Sequence, residues 1–167
     1  MITLDPVTPQ NAMLFKQVRL QALRDTPKAF SSTYADESRL TDAEWVKRAS
    51  LRNGEGSIVY LAMDATTPCG IVGGFLDKDD ASRAHLVSMW VAPVHRRLGI
   101  GRKLVEAIFD WARAQRARTV QLIVTSNNEA AIEFYKRQGF TLTGHTAPYR
   151  NDPTLNDLEM NCSISQP

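Results

Sequence analysis

Val91-Ala92-Pro93-Val94-His95-Arg96-Arg97-Leu98-Gly99-Ile100-Gly101-Arg102-Lys103-Leu104 reads as the end of an apolar strand, a proline turn, a basic loop and the first turn of an amphipathic helix. Amides at a helix N-terminus lack intrahelical acceptors, and the helix dipole adds partial positive charge there. Glycines at such a terminus let an anion approach closely, so the segment is a cradle for the pyrophosphate of a nucleotide or coenzyme. Two common nucleotide motifs do not fit. Leu104 stands where the dinucleotide fingerprint needs a third glycine, and Arg102-Lys103 follow Gly101 where a Walker loop needs Lys-Ser/Thr.

Outward from this segment the elements follow by periodicity and turn chemistry. Ile2–Asp5 predicts an opening strand, and Met13, Leu14, Val18, Leu20, Ala22 and Leu23 a helix that Asp25-Thr26-Pro27 stops. Residues 27–40 read as irregular, and a second helix starts at Thr41, with Glu44 as its capping-box partner. Asn53-Gly54-Glu55-Gly56 reads as a turn before strands over 57–63, 69–77 and 83–91, the last two joined by the acidic hairpin Asp77-Lys78-Asp79-Asp80. A helix over 101–117, a strand over 120–124, a helix over 128–138 and strands over 140–146 and 155–162 complete the chain. The order β-α-α-β-β-β-α-β-α-β-β predicts a three-layer α-β-α arrangement around a mixed, mostly antiparallel sheet of about seven strands.

A second segment, Asn127-Asn128-Glu129-Ala130-Ala131-Ile132-Glu133-Phe134-Tyr135-Lys136-Arg137-Gln138-Gly139-Phe140, completes a pair of motifs. Arg96, Gly99 and Gly101 match an Arg/Gln-x-x-Gly-x-Gly/Ala loop, and Asn128, Ala131, Tyr135, Gly139 and Phe140 match Asn-x-x-Ala-x-x-x-Tyr followed by Gly-Phe. Together they resemble the GCN5-related N-acetyltransferase (GNAT) superfamily, generic bacterial-type members included. The resemblance implies a sheet splayed between its fourth and fifth strands around the coenzyme's pantetheine arm. It also implies an acetyl-CoA-dependent N-acetyltransferase, an acyltransferase moving an acetyl group to a primary amine of a small molecule, peptide or protein through a ternary complex. A coenzyme-A-binding regulatory relative without turnover is the alternative.

Amine attack on a thioester needs an anchored coenzyme, a deprotonated nucleophile and a stabilised leaving thiolate. For anchoring, the amides of Arg97, Leu98, Gly99, Ile100, Gly101 and Arg102 are the expected pyrophosphate donors, with charge from Arg96, Arg102 and Lys103. By resemblance, the backbone of Met89 and Val91 pairs with the pantetheine arm, while Asn128 and Ala131 contribute from the following helix. Tyr135 occupies the family position near the coenzyme sulfur. Ile123 stands where several members carry a basic glutamate, so the base is sought elsewhere. His85 resembles a base position on strand 4, and an imidazole with a reference pKa near 6.5 can take a proton at neutral pH; Glu37 and water remain as alternatives. The acceptor loops, Phe30–Arg39 and His145–Leu155, place Phe30, Tyr34 and Tyr149 as an apolar wall, with Asp36, Glu37 and Asp152 as carboxylates for a cationic amine. His95 and His145 carry no assigned chemistry.

The chain's 167 residues suit one domain, 1–167, with a substantial core. A net charge of +2 is too small to point to nucleic acid, and no apolar run approaches the roughly 20 residues of a membrane span. Cys69 and Cys162 form neither a disulfide framework nor a metal motif, so no metal is expected. Without a leader-like N-terminus, a cytoplasmic location is expected; a homodimer is compatible with the sequence.

Overall fold

The computed structural model describes residues 1–165, so the last two residues of the expected 1–167 domain lie outside the described residues. The elements are β1 (Ile2–Pro6), α1 (Ala12–Asp25), α2 (Tyr34–Glu37), α3 (Asp42–Leu51), β2 (Asn53–Gly54), β3 (Ser57–Asp64), β4 (Thr67–Leu76), β5 (Arg83–Val91), α4 (Ile100–Ala114), β6 (Thr119–Thr125), α5 (Glu129–Arg137), β7 (Thr141–Tyr149) and β8 (Asp152–Ser163). Seven strands lie in the order β1-β3-β4-β5-β6-β8-β7, and β2 pairs with β3 beside them. All neighbours are antiparallel except β5 and β6.

Three segments differ from the sequence reading. Asn53-Gly54 is a short eighth strand, because Gly56 takes φ +80° and closes a tight hairpin onto Ser57. Residues 34–37 form a helical turn capped by the Thr33 hydroxyl, which accepts from Asp36 N at 3.1 Å. The loop expected over 145–155 is a hairpin, with β7 running to Tyr149 and β8 starting at Asp152.

Packing follows the patterning. Strand β4 is buried from Pro68 to Gly74, covered on both faces. A Cβ at Gly74 would meet Ile108 and Trp111 at 3.1 Å, so α4 lies directly on the strand backbone with Leu104, Val105, Ile108 and Ala112 buried beneath it. The other helical layer is α1 with α3, joined where Phe15 sets its ring edge-on to the fully buried Trp45 at 5.3 Å. Thr41 caps α3 as expected, its hydroxyl accepting from Glu44 N while Glu44 Oε2 accepts from Thr41 N. Among the described residues no helix is long and apolar enough to cross a membrane.

Candidate active site

The site begins where two strands part. β5 and β6 pair in parallel only through Arg83, Ala84 and His85 against Thr119, Val120 and Gln121. Beyond them the strands diverge, and among the described residues the β5 edge from Leu86 onward has no strand partner on the β6 side. A bulge in β5 sharpens the parting: Ser88 has φ +59°, and the register with β4 slips between Ile71 and Gly73. Arg19 Nη1 donates to Ser88 Oγ at 2.9 Å and pins this strained residue to α1.

At one end of the opening lies the basic loop. Arg97 (φ +65°) and Gly99 (φ +80°) adopt positive φ, the backbone conformation from which anion-binding nests of successive amides are built. The first intrahelical bond of α4 runs from Lys103 N to Gly99 O at 3.2 Å, which leaves the preceding amides for a ligand. Residues 96–99 are exposed, while Ile100 is buried and anchors the turn. The residues therefore fit a pyrophosphate. The two glycines serve different ends: a Cβ on Gly99 would meet nothing within 4 Å, so conformation demands glycine there, whereas one on Gly101 would lie 3.1 Å from Phe134. Gly101→Val should therefore wedge α4 from α5. Overpacking of about 1–3 kcal/mol expressed at the cradle weakens acetyl-CoA binding roughly 10–100-fold. Calorimetry checks this, and unchanged affinity contradicts the cradle.

Arg96 is engaged within the protein. Its Nε donates to Val91 O at 2.9 Å and its Nη2 to Asp25 Oδ2 at 2.7 Å, while Trp90 Nε1 donates to the same oxygen at 2.9 Å. The Trp90 hydrogen bond, aided by Arg96, holds the Asp25 carboxyl below its ordinary range against the effect of burial. Arg96 thus ties the loop to α1. Arg102 pairs with Glu106 at 2.9 Å, and Lys103 is exposed. Asn128 caps α5, its Oδ1 accepting from Ala131 N at 3.2 Å. Met89 and Val91 lie half-buried on the open length of β5.

Tyr135 sits in an aromatic cluster, edge-on to Phe134 at 5.2 Å and to Phe140 at 5.7 Å. Burial pushes its phenol above its ordinary range and keeps it protonated. A larger groove of about 730 Å³ lies outside, between α4 and α5, but its Arg102 and Arg113 are already paired with Glu106 and Asp110.

The other end of the opening is a cleft of about 300 Å³, lined among others by Arg19, Phe30, His85, Ile123, Tyr149 and Asp157. Tyr149 Oη donates to Phe30 O at 2.8 Å, joining the β7 end to the loop after α1. His85 stacks on Phe75 at 4.7 Å, and its Nε2 lies 2.7 Å from Asp77 Oδ2. That hydrogen bond, with the amides of Asp79 and Asp80, holds the Asp77 carboxyl down at about 2. Tyr34 and Glu37 do not line the cleft. Tyr34 packs under the Arg24 guanidinium and bonds it through its hydroxyl. Glu37 is buried behind the cleft, accepting from Arg19 Nε at 3.0 Å, Arg19 Nη2 at 2.9 Å and Arg48 Nη1 at 3.2 Å. Asp36 is exposed, and Asp152 pairs with Lys28 at 3.6 Å.

The acetyltransferase (GNAT) family model matches residues 19–140, most of the chain and both motif segments. The chain belongs to the GNAT family. Among its relatives, human N-acetyltransferase 8 is 29% identical over 139 residues, covering 81% of this chain and 60% of that protein. The N-terminal acetyltransferase B catalytic subunit naa20 of Schizosaccharomyces pombe is 32% identical over 69 residues, covering 41% of this chain and 38% of that one. The chain thus spans less than two thirds of the length of either. A GNAT acetyltransferase from Streptococcus pneumoniae superposes with TM-score 0.82 at 22% identity, covering 99% of this chain and 100% of that one. The yncA protein of Salmonella typhimurium, solved with acetyl-CoA, does so with TM-score 0.81 at 18% identity, covering 100% and 96%. These likenesses establish the GNAT fold.

Four residues of this GNAT site were not assigned a role from the sequence. Asp77 reaches His85 because the acidic hairpin turns tightly, Asp77 N donating to Arg83 O at 2.9 Å. Arg19 belongs to a helix face that reads only as amphipathic, and Ser88 to a strand whose bulge leaves no mark in the residue pattern. Asp157 is a polar position in an alternating strand, the one signal that marks it.

Proposed function

We propose that the chain is an acetyl-CoA-dependent N-acetyltransferase acting as one domain on a primary amine of a small molecule or peptide. The observation that carries this reading is the parting of β5 and β6, with an anion cradle at one end and an acceptor cleft holding His85 at the other. The amides of 97–102 hold the pyrophosphate, and the β5 edge at Met89 and Val91, which has no strand partner there although Val91 O already accepts from Arg96, takes the pantetheine arm as an added strand. Acetyl-CoA, when bound, supplies the thioester carbonyl. An Nε2–H on His85 donating to the ionised Asp77 leaves Nδ1 with a lone pair, free to take the amine's proton directly or through water. As the C–N bond forms and the C–S bond breaks, the Tyr135 hydroxyl donates a hydrogen bond to the departing sulfur, whose proton comes finally from solvent.

A thiolate is a fair leaving group without full protonation, being far less basic than an alkoxide. Tyr135→Phe is therefore expected to lower kcat only about tenfold, one hydrogen bond's worth, with acetyl-CoA affinity unchanged. Equal turnover would return Tyr135 to packing alone. The reading as a whole is tested by free-thiol release from acetyl-CoA across a panel of primary amines. Coenzyme binding without release for any amine favours the regulatory alternative, which Ile123 in the cleft permits.

A further inference from the structure

The lining of the acceptor cleft contains one carboxylate, and its side chain has no partner among the described residues. The carboxylate of Asp157 on β8, a residue in register with Thr125 and Ala147, makes no hydrogen bond or ion pair among the described residues. The neighbouring acids are occupied: Glu37 by Arg19 and Arg48, Asp77 by His85, and Asp152 by Lys28 and Thr154. The cations divide in the same way. Arg19 is spent on Glu37 and Ser88 and Lys28 lies against Asp152, whereas Arg150, in the turn between β7 and β8, has no ion pair among the described residues. The rest of the lining combines the apolar Phe30, Leu122 and Ile123, the last 51% exposed, with the hydroxyls of Ser31, Ser88 and Thr125.

We propose that Asp157 and Arg150 are the two poles of the acceptor site, and that the acceptor is an amino acid with an apolar side chain. Its ammonium docks on Asp157, its carboxylate on Arg150 and its side chain against Ile123. This deepens the N-acetyltransferase reading and rests on it. A partly buried carboxylate without a counter-charge is unfavourable until a cation arrives, and burial already pushes the Asp157 carboxyl above its ordinary range. Arginine's planar fork suits a carboxylate, and a cleft of about 300 Å³ is at the small end of ligand sites.

The test uses the full chain loaded with coenzyme A, titrated by calorimetry with L-leucine and L-phenylalanine and with the amines left by removing their carboxylates, isoamylamine and phenethylamine. Each amino acid should bind at least about tenfold more tightly than its amine, as expected for a charged hydrogen bond. Asp157→Asn should weaken amino-acid binding about tenfold or more with coenzyme affinity and circular dichroism unchanged, and Arg150→Gln should bring the amino-acid-to-amine ratio close to one. Glu159→Gln, on the same strand with its Oε2 accepting from Thr143, is the control and should change neither. Wild-type affinity in Asp157→Asn, equal affinity for leucine and isoamylamine, or no binding of either amino acid overturns the proposal. Asp157-dependent binding without thiol release leaves this site standing and refutes the acetyltransferase reading; thiol release with Asp157-independent acceptor binding does the reverse.

Discussion

Glu37→Ala is expected to lower the stability of the fold by about 3–5 kcal/mol, the effect of breaking a buried ion pair from one side. The carboxylate is 3% exposed and takes three hydrogen bonds from Arg19 and Arg48. Without it Arg48, whose side chain is 37% exposed, can rehydrate, but Arg19, at 13%, keeps a largely buried charge. Since Arg19 also holds Ser88, the β5 bulge loosens with it. For a chain of this size each kcal/mol moves Tm by about 2–4 °C, so a fall on the order of 10 °C is expected. The pH dependence has a definite sign. Burial pushes the Glu37 carboxyl up, but hydrogen bonds and charge from Arg19, with Arg48 behind, outweigh it and leave the group lowered. Its stabilisation is therefore complete above the unfolded glutamate range near pH 4.3 and is lost as pH falls through the lower folded value. Urea midpoints of wild type and Glu37→Ala should converge only below about pH 4. Equal midpoints at pH 7 contradict the brace.

His85→Gln is expected to lower kcat/KM about 100-fold and to remove the ascending limb of its pH profile, since glutamine fills the site but cannot take a proton. Asp77 stays ionised throughout such a profile, its carboxyl being held at about 2, so it orients the ring without adding a titration of its own. Asp77→Asn should accordingly lower the rate while keeping the limb, which separates orientation from proton transfer. A His85→Gln enzyme with the wild-type profile assigns the limb to the amine itself, and water to the proton.

Local patterns made the basic loop before α4 and the cap of α3 legible. Gly99 needs a left-handed backbone and Thr41 with Glu44 needs a capping box, and both requirements act over a few residues. The opening between β5 and β6 came through resemblance of two motifs rather than periodicity. The acceptor end was harder to read because its contacts join residues far apart in the chain. Glu37, an acid in a loop, reads as a substrate ligand until Arg19 and Arg48 converge on it. Arg96 reads as a phosphate cation until Asp25 comes within 2.7 Å. Asp157 escaped notice for the converse reason, since an alternating strand gives every second polar residue the same appearance and only the cleft singles one out.

The central claim is that coenzyme lies between the 97–102 amides and the open edge of β5, and amide chemical-shift mapping during acetyl-CoA titration tests it most directly. The expected result is saturable shifts concentrated at 97–102 and along 86–91. Shifts confined to the outer groove at Arg113, Arg137 and Gln138, or no saturable shift, would contradict it.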